Sequence, residues 1–356
     1  MAPPRAAAAL ALLAAGASAL LGPPVEVELD LAWAPAVDCS GRASRGEDRR
    51  PDPARLRVAT WNVEWLTDGR PPESPRSPWA GDPAGAAGHA RRVAAALRAV
   101  PADVWVLQEV EGCAALEALR GAVGDATYRA FLVPGTDAIL RQNVALLTRV
   151  DPTLAGRTAA RAGYPADGSA CGYAGPGSTS GVSKHLLAAL APRGLPRIAL
   201  LALHLKAFPD EPRSCAQREA QALVAQGAVR AAAARGWEVL VAGDLNDFAP
   251  DPPDAAGNAP ASRTVAAIAD WDRDGRADLT GALEGVSRGD RWTSAWDRDG
   301  DGAAAYPGET GALDHVLLSA GLAGRLAGVR VDHLASAGAS DHRPVVVELG
   351  AVGAGA

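Results

Sequence analysis

The chain has 356 residues, 48% hydrophobic and 21% charged, which fits a globular protein and excludes a disordered one. That length buries a substantial core in one large domain or two smaller ones. A net charge of −6 excludes a protein that coats nucleic acid through a broad basic face, but not an enzyme that holds phosphate with a metal and a few local cations.

Residues 1–19 read as a signal peptide. Arg5 precedes an apolar run from Ala6 to Leu21, and Ala17-Ser18-Ala19 supplies a small-x-small pattern. The run is short for a membrane span, which needs ~20 apolar residues. No Cys follows it closely, so no stable membrane anchor is expected, and the protein is expected to be secreted or otherwise extracytoplasmic. Residues 20–55 are expected to be an N-terminal extension and linker, since 40–55, "SGRASRGEDRRPDPAR", is polar, charged and Pro-containing. Residues 56–350 are expected to form the domain and 351–356 a tail.

Seven short runs rich in Val, Leu or Ile follow, each closing in polar or turn residues: "LRVATWN", "DVWVLQEV", "NVALLTR", "RIALLALHLK", "EVLVAGDLND", "LDHVLLS" and "RPVVVEL". Between them "GHARRVAAALRAV" places Val93, Ala96, Leu97 and Val100 on one helical face. A second helix is predicted from Ser214 to a stop at Gly236, opening with Ser214 and Gln217 in capping-box spacing. Apolar strands buried on both faces need helical cover. The pattern therefore predicts one α/β domain of two packed sheets with helices outside.

Four Cys, at 39, 113, 171 and 215, follow the export signal, and an even count there reads as two disulfides. None form a CxxC knuckle, so zinc is not expected. Three pairings are open and spacing decides none; Cys39–Cys113 with Cys171–Cys215 is the expectation carried forward.

The chemistry lies at the strand ends. They carry Asn62 with Glu64 two further on, Glu109, His204 with Lys206, Asp244 with Asn246 and Asp247, Asp314, and the pair Asp341-His342. One such residue is usually a polar cap on a strand. Six segments delivering Asn, Asp, Glu and His point to a site at the rim of an α/β core. Carboxylate and amide oxygens suit a hard cation such as Mg2+ or Mn2+. A cation beside two His suits phosphate-ester cleavage. No phosphate-cradling Walker loop or G-x-S-x-G elbow is present.

The order TWN, QE, HLK, GDLN, LDH, SDHRPV resembles the endonuclease/exonuclease/phosphatase superfamily from about Arg57 to Leu349. The resemblance implies a four-layer α/β/β/α sandwich of two packed mixed sheets. It implies Glu109 as principal metal ligand with Asn62 beside it and Asp341 as a further metal-site acid. Asp244 would align or activate water, and Asn246 would orient phosphate. His342 would be the catalytic or phosphate-stabilising imidazole with Asp314 as its carboxylate, and His204 a general acid as in the deoxyribonuclease-like members. Secreted bacterial members further imply Gln142, Asn143 and Lys184 in the site, with Lys206 holding substrate phosphate. Cys171 and Cys215 bracket that region, which supports their pairing.

The expected function is an exported metal-dependent phosphodiesterase, a nuclease acting on DNA or RNA, working as a monomer. The alternatives are a phosphatase or sphingomyelinase-type phospholipase, and a binding protein that kept the fold without turnover. Two "WDRDG" stretches, with Asp270, Asp272, Asp274 and Asp278 in one and Asp297, Asp299 and Asp301 in the other, resemble incomplete calcium loops; the plain reading is acidic surface turns, the other structural Ca2+. Trp292 and Trp296 are weak candidates to flank substrate, and His89, His185, His315 and His333 are read as structural.

Overall fold

The structure, a computed structural model, describes residues 31–71 and 74–351. The signal-peptide reading of 1–19 lies outside the described residues.

Two mixed sheets pack face to face. The six-stranded sheet runs, in spatial order, Leu326–Val331, Val345–Gly350, Arg55–Leu66, Val104–Val110, Asn143–Thr148 and Arg129–Leu132. The seven-stranded sheet runs Leu31–Pro35, Leu154–Thr158, His185–Leu190, Ile198–His204, Glu238–Asp244, Asp314–Ser319 and Leu279–Gly281. Each sheet holds one parallel pair: Arg55–Leu66 with Val104–Val110, and Ile198–His204 with Glu238–Asp244. A parallel pair needs a crossover, and each is closed by a helix: α1 (Pro83–Ala99) in the first and α3 (Pro212–Ala233) in the second.

Period-2 alternation sorts the strands. Leu56, Val58, Val104, Val106, Leu146, Val345 and Val347 of one sheet meet Leu186, Ile198, Leu200, Ala202, Leu240, Ala242 and Val316 of the other in the central core. The outward rows, among them Trp61, Trp105 and Leu107, lie under α1 and α2 (Cys113–Val123). Leu201, Leu203, Val239 and Val241 lie under α3 and α4 (Thr264–Ala269). The chain thus forms the four-layer sandwich expected from its sequence.

Two boundaries differ from expectation. Leu31–Pro35 pairs antiparallel with Leu154–Thr158 as an edge strand, so the sheet begins before residue 56. The stretch that follows is not a free linker: Arg50 is buried, with its guanidinium on Asp48 at 2.7 Å, and Arg49 pairs with Asp151. Helix α3 starts at Pro212, capped by Glu211, whose carboxylate accepts from the N–H of Arg213 at 3.1 Å and of Ser214 at 2.6 Å. Pro at the first helical position fixes the entry, so Ser214 falls inside the first turn.

Both disulfides pair as expected, Cys39 with Cys113 and Cys171 with Cys215. No helix among the described residues is long and apolar enough to cross a membrane.

Candidate active site

The site is where the two inward rows run out of apolar residues. Along Ile198, Leu200 and Ala202 the next inward position is His204; along Leu240 and Ala242 it is Asp244. His204 and Asp244 are register partners across the parallel pair, and Asp244 and Asp314 across the antiparallel one. In the other sheet Leu56, Val58 and Thr60 lead to Asn62, which pairs with Gln108. Both parallel pairs thus present polar groups at their carboxyl ends, the usual site of binding in open α/β sheets.

Glu109 would point outward by simple alternation. Its φ of 63° and the break in strand register between Leu107 and Val110 re-aim it. Glu64, Trp65 and Asn246 also have φ above zero, at 49°, 60° and 52°. Strained backbone is therefore concentrated where polar groups converge. In "GDLN", Gly243 has φ 150°, and a Cβ there would collide with the Leu203 carbonyl, so the tight approach of these two strands requires glycine.

The facing rows touch. Asn62 Nδ2 donates to Glu109 Oε1 and to Asp244 Oδ2, both at 3.2 Å, joining the sheets. Glu109 Oε2 accepts from the Trp65 N–H at 3.1 Å, and Glu64 Oε2 from the Asp341 N–H at 3.2 Å. Glu64, Glu109 and Asp341 thus come to the same edge of one sheet, close enough for the Glu109 and Asp341 charges to act on Glu64. Burial pushes the Glu64 and Glu109 carboxyls up; the Asp341 charge adds to both, while at Glu109 the Lys184 and His342 charges and the Asn62 hydrogen bond oppose the rise. Oxygen-only donors that repel one another fit a hard divalent cation, which would relieve that repulsion. Glu109, with Asn62 and Asp341 beside it, would hold it.

Next to Asp341, His342 Nδ1 donates to Asp314 Oδ2 at 2.6 Å. Burial opposes charge on the ring, but the Asp314 carboxylate, with Asp244 and Asp341, holds His342 well above its usual value. Its Nε2 lies 3.9 Å from Asp244 Oδ2. Burial pushes Asp244 up to about 7, with the His342 charge opposing and the Asp314 charge assisting. Oxygens and ring nitrogen of Asp244, Asp314 and His342 come within 4.8 Å of one another. Asn246 donates its N–H to Asp244 Oδ1 at 2.9 Å and its amide to the Leu205 carbonyl at 3.2 Å.

On the third side Lys184 Nζ lies 3.2 Å from Gln142 Oε1 and 3.3 Å from His204 Nε2. His204 Nε2 is 3.7 Å from Asp244 Oδ2. Lys206 is half-buried at the rim, its amine over the Phe208 ring at 5.5 Å from the centroid. Asn143 is different. Its Oδ1 accepts from the Gly135 N–H at 2.6 Å and its Nδ2 donates to the carbonyls of Val110 and Glu111 at 3.2 and 2.7 Å. It clamps the loop that follows Glu109, with its side chain committed to backbone.

Three supporting residues were not singled out from the sequence. Ser340 Oγ donates to the Asn62 carbonyl at 2.7 Å and accepts from the His342 N–H at 3.0 Å. Thr293 Oγ1 accepts from the N–H of Asp314 at 2.9 Å. Trp61 Nε1 donates to the His342 carbonyl at 3.1 Å. Ser340 stands directly before Asp341-His342 and Trp61 directly before Asn62, which is the signal that could have found them.

The structural readings of other His hold geometrically: His185 Nδ1 meets the Val182 carbonyl at 2.6 Å, and His315 Nε2 meets that of Asp247 at 2.8 Å. Trp292 is stacked on His333 at 4.1 Å between centroids, while Trp296 is exposed. In the acidic loops Asp270, Asp272 and Asp278 gather, as do Asp297, Asp299 and Glu309. Asp297 and Glu309 accept several loop N–H groups, which accounts for that turn without a cation.

The family model described as Endonuclease/Exonuclease/phosphatase family matches residues 59–342. The chain belongs to the endonuclease/exonuclease/phosphatase family, whose members are phosphoric ester hydrolases. No curated protein matches the chain. Among solved structures it is similar to an endonuclease/exonuclease/phosphatase from Beutenbergia cavernae, at 19% identity and TM-score 0.53, over 84% of this chain and 72% of that one. It is also similar to the 3′ phosphatase NExo from Neisseria bound to a product DNA hairpin, at 20% identity and TM-score 0.54, over 83% and 99%. Caenorhabditis elegans TDP2 shares 18% identity at TM-score 0.50, over 83% and 74%. At these identities the likeness is one of fold.

Proposed function

We propose that this protein is an exported, divalent-metal-dependent phosphodiesterase that hydrolyses DNA or RNA. The observation that carries the reading is one juxtaposition across the two sheets: from the sheet that carries Glu109, Asn62 hydrogen-bonds Asp244 and His342 hydrogen-bonds Asp314, the two adjacent buried acids of the other sheet. A Mg2+ or Mn2+ ion at Glu109 would supply neutralisation of the phosphate oxygens.

The chain's own groups do the rest. Asp314 fixes the His342 ring with a proton on Nδ1, and the raised His342 keeps a second N–H on Nε2 for a phosphate oxygen. Asp244, its carboxyl pushed up by burial and held by Asn62 and Asn246, orients the attacking water and takes up its proton. Lys206 meets the flanking phosphate at the rim. Capture of a fold neighbour with a DNA hairpin product supports nucleic acid over a small ester. The disulfides and the apolar start support export.

The test incubates the protein with supercoiled plasmid in Mg2+, and again in EDTA, with His342→Ala alongside. Nicking that needs both the metal and His342 is expected. A folded wild type that cleaves neither DNA nor RNA would overturn the nuclease reading and direct assays to lipid and small phosphate esters.

A further inference from the structure

The two imidazoles of the site are not equivalent. His342 has a carboxylate on Nδ1. The Nδ1 of His204 is buried and has no hydrogen-bond partner among the described residues. On the other nitrogen the hydrogen-bond partner among the described residues is an amine, Lys184 Nζ at 3.3 Å; Asp244 Oδ2 stands off at 3.7 Å.

Hydrogen-bond accounting then fixes the direction of the contact. A lysine ammonium has three donors and no acceptor, so His204 Nε2 must accept. The His204 proton therefore sits on Nδ1, away from Lys184 and Asp244. A ring in that tautomer offers no N–H toward the reacting side. Its environment agrees: burial, then the charges of Lys184 and His342, keep His204 well below its usual value and hence neutral.

Lys184 has the opposite character. Two of its N–H bonds go to Gln142 Oε1 and His204 Nε2, and the third has no partner among the described residues. Burial pushes its pKa down, while the charges of Glu109, Asp137 and Asp244 hold the proton on. An amine made more acidic by burial and kept protonated by nearby carboxylates is suited to giving up a proton during a reaction.

We infer that Lys184, not His204, donates the proton to the leaving oxygen, and that His204 is a positioning residue whose Nε2 aims the Lys184 amine. This rests on the phosphodiester-hydrolase reading above. In the step, the water oxygen bonds to phosphorus and the bond from phosphorus to the leaving oxygen breaks. Its electron pair stays on that oxygen, which takes a proton from Nζ. The proton given up by water passes out through the base side of the site, and solvent reprotonates the neutral amine.

Leaving-group chemistry tests this. Wild type, Lys184→Met, His204→Gln and His204→Leu are compared on a DNA oligonucleotide and on bis(p-nitrophenyl) phosphate. The first expels a basic alkoxide; the second expels a phenolate that needs no proton. Loss of a general acid costs about 100- to 10,000-fold where protonation matters. Lys184→Met is expected to lose that on the oligonucleotide and at least ten times less on the nitrophenyl ester. Gln keeps an acceptor for Nζ, so His204→Gln is expected to retain most of the activity that His204→Leu loses.

Equal losses on both substrates for Lys184→Met would reduce Lys184 to a phosphate-holding charge and overturn the inference. So would a His204→Gln variant as impaired as His204→Leu on the oligonucleotide, the mark of a His that is itself the acid. The two His204 variants decide the point if Lys184→Met fails to fold. Wild type inactive on both substrates would instead defeat the phosphodiesterase reading.

Discussion

Asp244 and Asp314 are register partners on adjacent antiparallel strands, yet only Asp314 is hydrogen-bonded to His342, at 2.6 Å. Two neighbouring acids therefore do different work. One is a fixed partner for an imidazole. The other faces Asn62 and both His, and burial raises its carboxyl well above the usual carboxylate range.

Asp314→Asn is expected to separate these roles. The amide keeps the shape of the site but removes the charge that raises His342. The His342 pKa should fall, and activity at neutral pH should drop by about 100- to 10,000-fold, the scale of losing one acid–base group. Histidine NMR titration beside a plasmid-nicking assay checks both. An unchanged His342 titration would contradict the dyad.

Stability in EDTA should fall as pH rises through neutrality. Asp244 and His342 both have folded-state pKa values above their unfolded ones. Such groups contribute stability fully below the unfolded value, and lose it as pH passes through the folded one. For Asp244 the contribution is complete below about 3.8 and is lost as pH passes about 7. Thermal melts from pH 5 to 9 should show the decline, and Asp244→Asn should flatten the part near pH 7. A melting temperature that rises across that window would contradict the burial argument.

Glu109→Gln should have opposite effects with and without metal. It removes a carboxylate whose charge burial disfavours more than its neighbours favour it, so the metal-free protein should melt at a higher temperature than wild type. It also removes the central anionic donor, so added Mg2+ should no longer raise the melting temperature, and nicking should be lost. Retention of a full Mg2+-induced shift would place the cation elsewhere.

Much of this site was legible in the sequence because strand periodicity is simple. Rows ending in His204, Asp244 and Asn62 continue an apolar alternation by one step, so a polar residue there must stand at the rim of the core. Glu109 was legible only through its motif, since alternation alone would point it outward and the bulge re-aims it. Asn143 shows the limit from the other side: its place in the chain is at the site, but its amide serves backbone groups. Thr293 and Ser340 were missed because each serves a backbone group remote in sequence, at Asp314 and Asn62. The edge strand Leu31–Pro35 has too few residues to carry a pattern of its own, and it takes its conformation from pairing.

Arg218 joins this site to the fold. It is fully buried on α3, where its guanidinium donates to the carbonyls of Lys206 and Pro209 at 3.1 and 3.2 Å and stands 3.6 Å from Asp247 Oδ2. One helix residue thereby holds the loop carrying Lys206 and the loop that leaves Asp244 and carries Asn246 and Asp247. Arg218→Met fills similar space but removes the cation beside buried Asp247, which keeps its hydrogen bonds from the Phe248 and Ala261 N–H groups and the Ser262 hydroxyl. The hydrogen bonds lost run from a charged guanidinium to the Lys206 and Pro209 carbonyls and are worth about 1.5–3 kcal/mol each, and urea unfolding should show a loss of that order. Activity should fall in the variant that remains folded, with the rise in KM larger for a long oligonucleotide than for bis(p-nitrophenyl) phosphate, because only the former reaches the Lys206 loop. A variant as stable as wild type would mean that the two loops are held independently of Arg218.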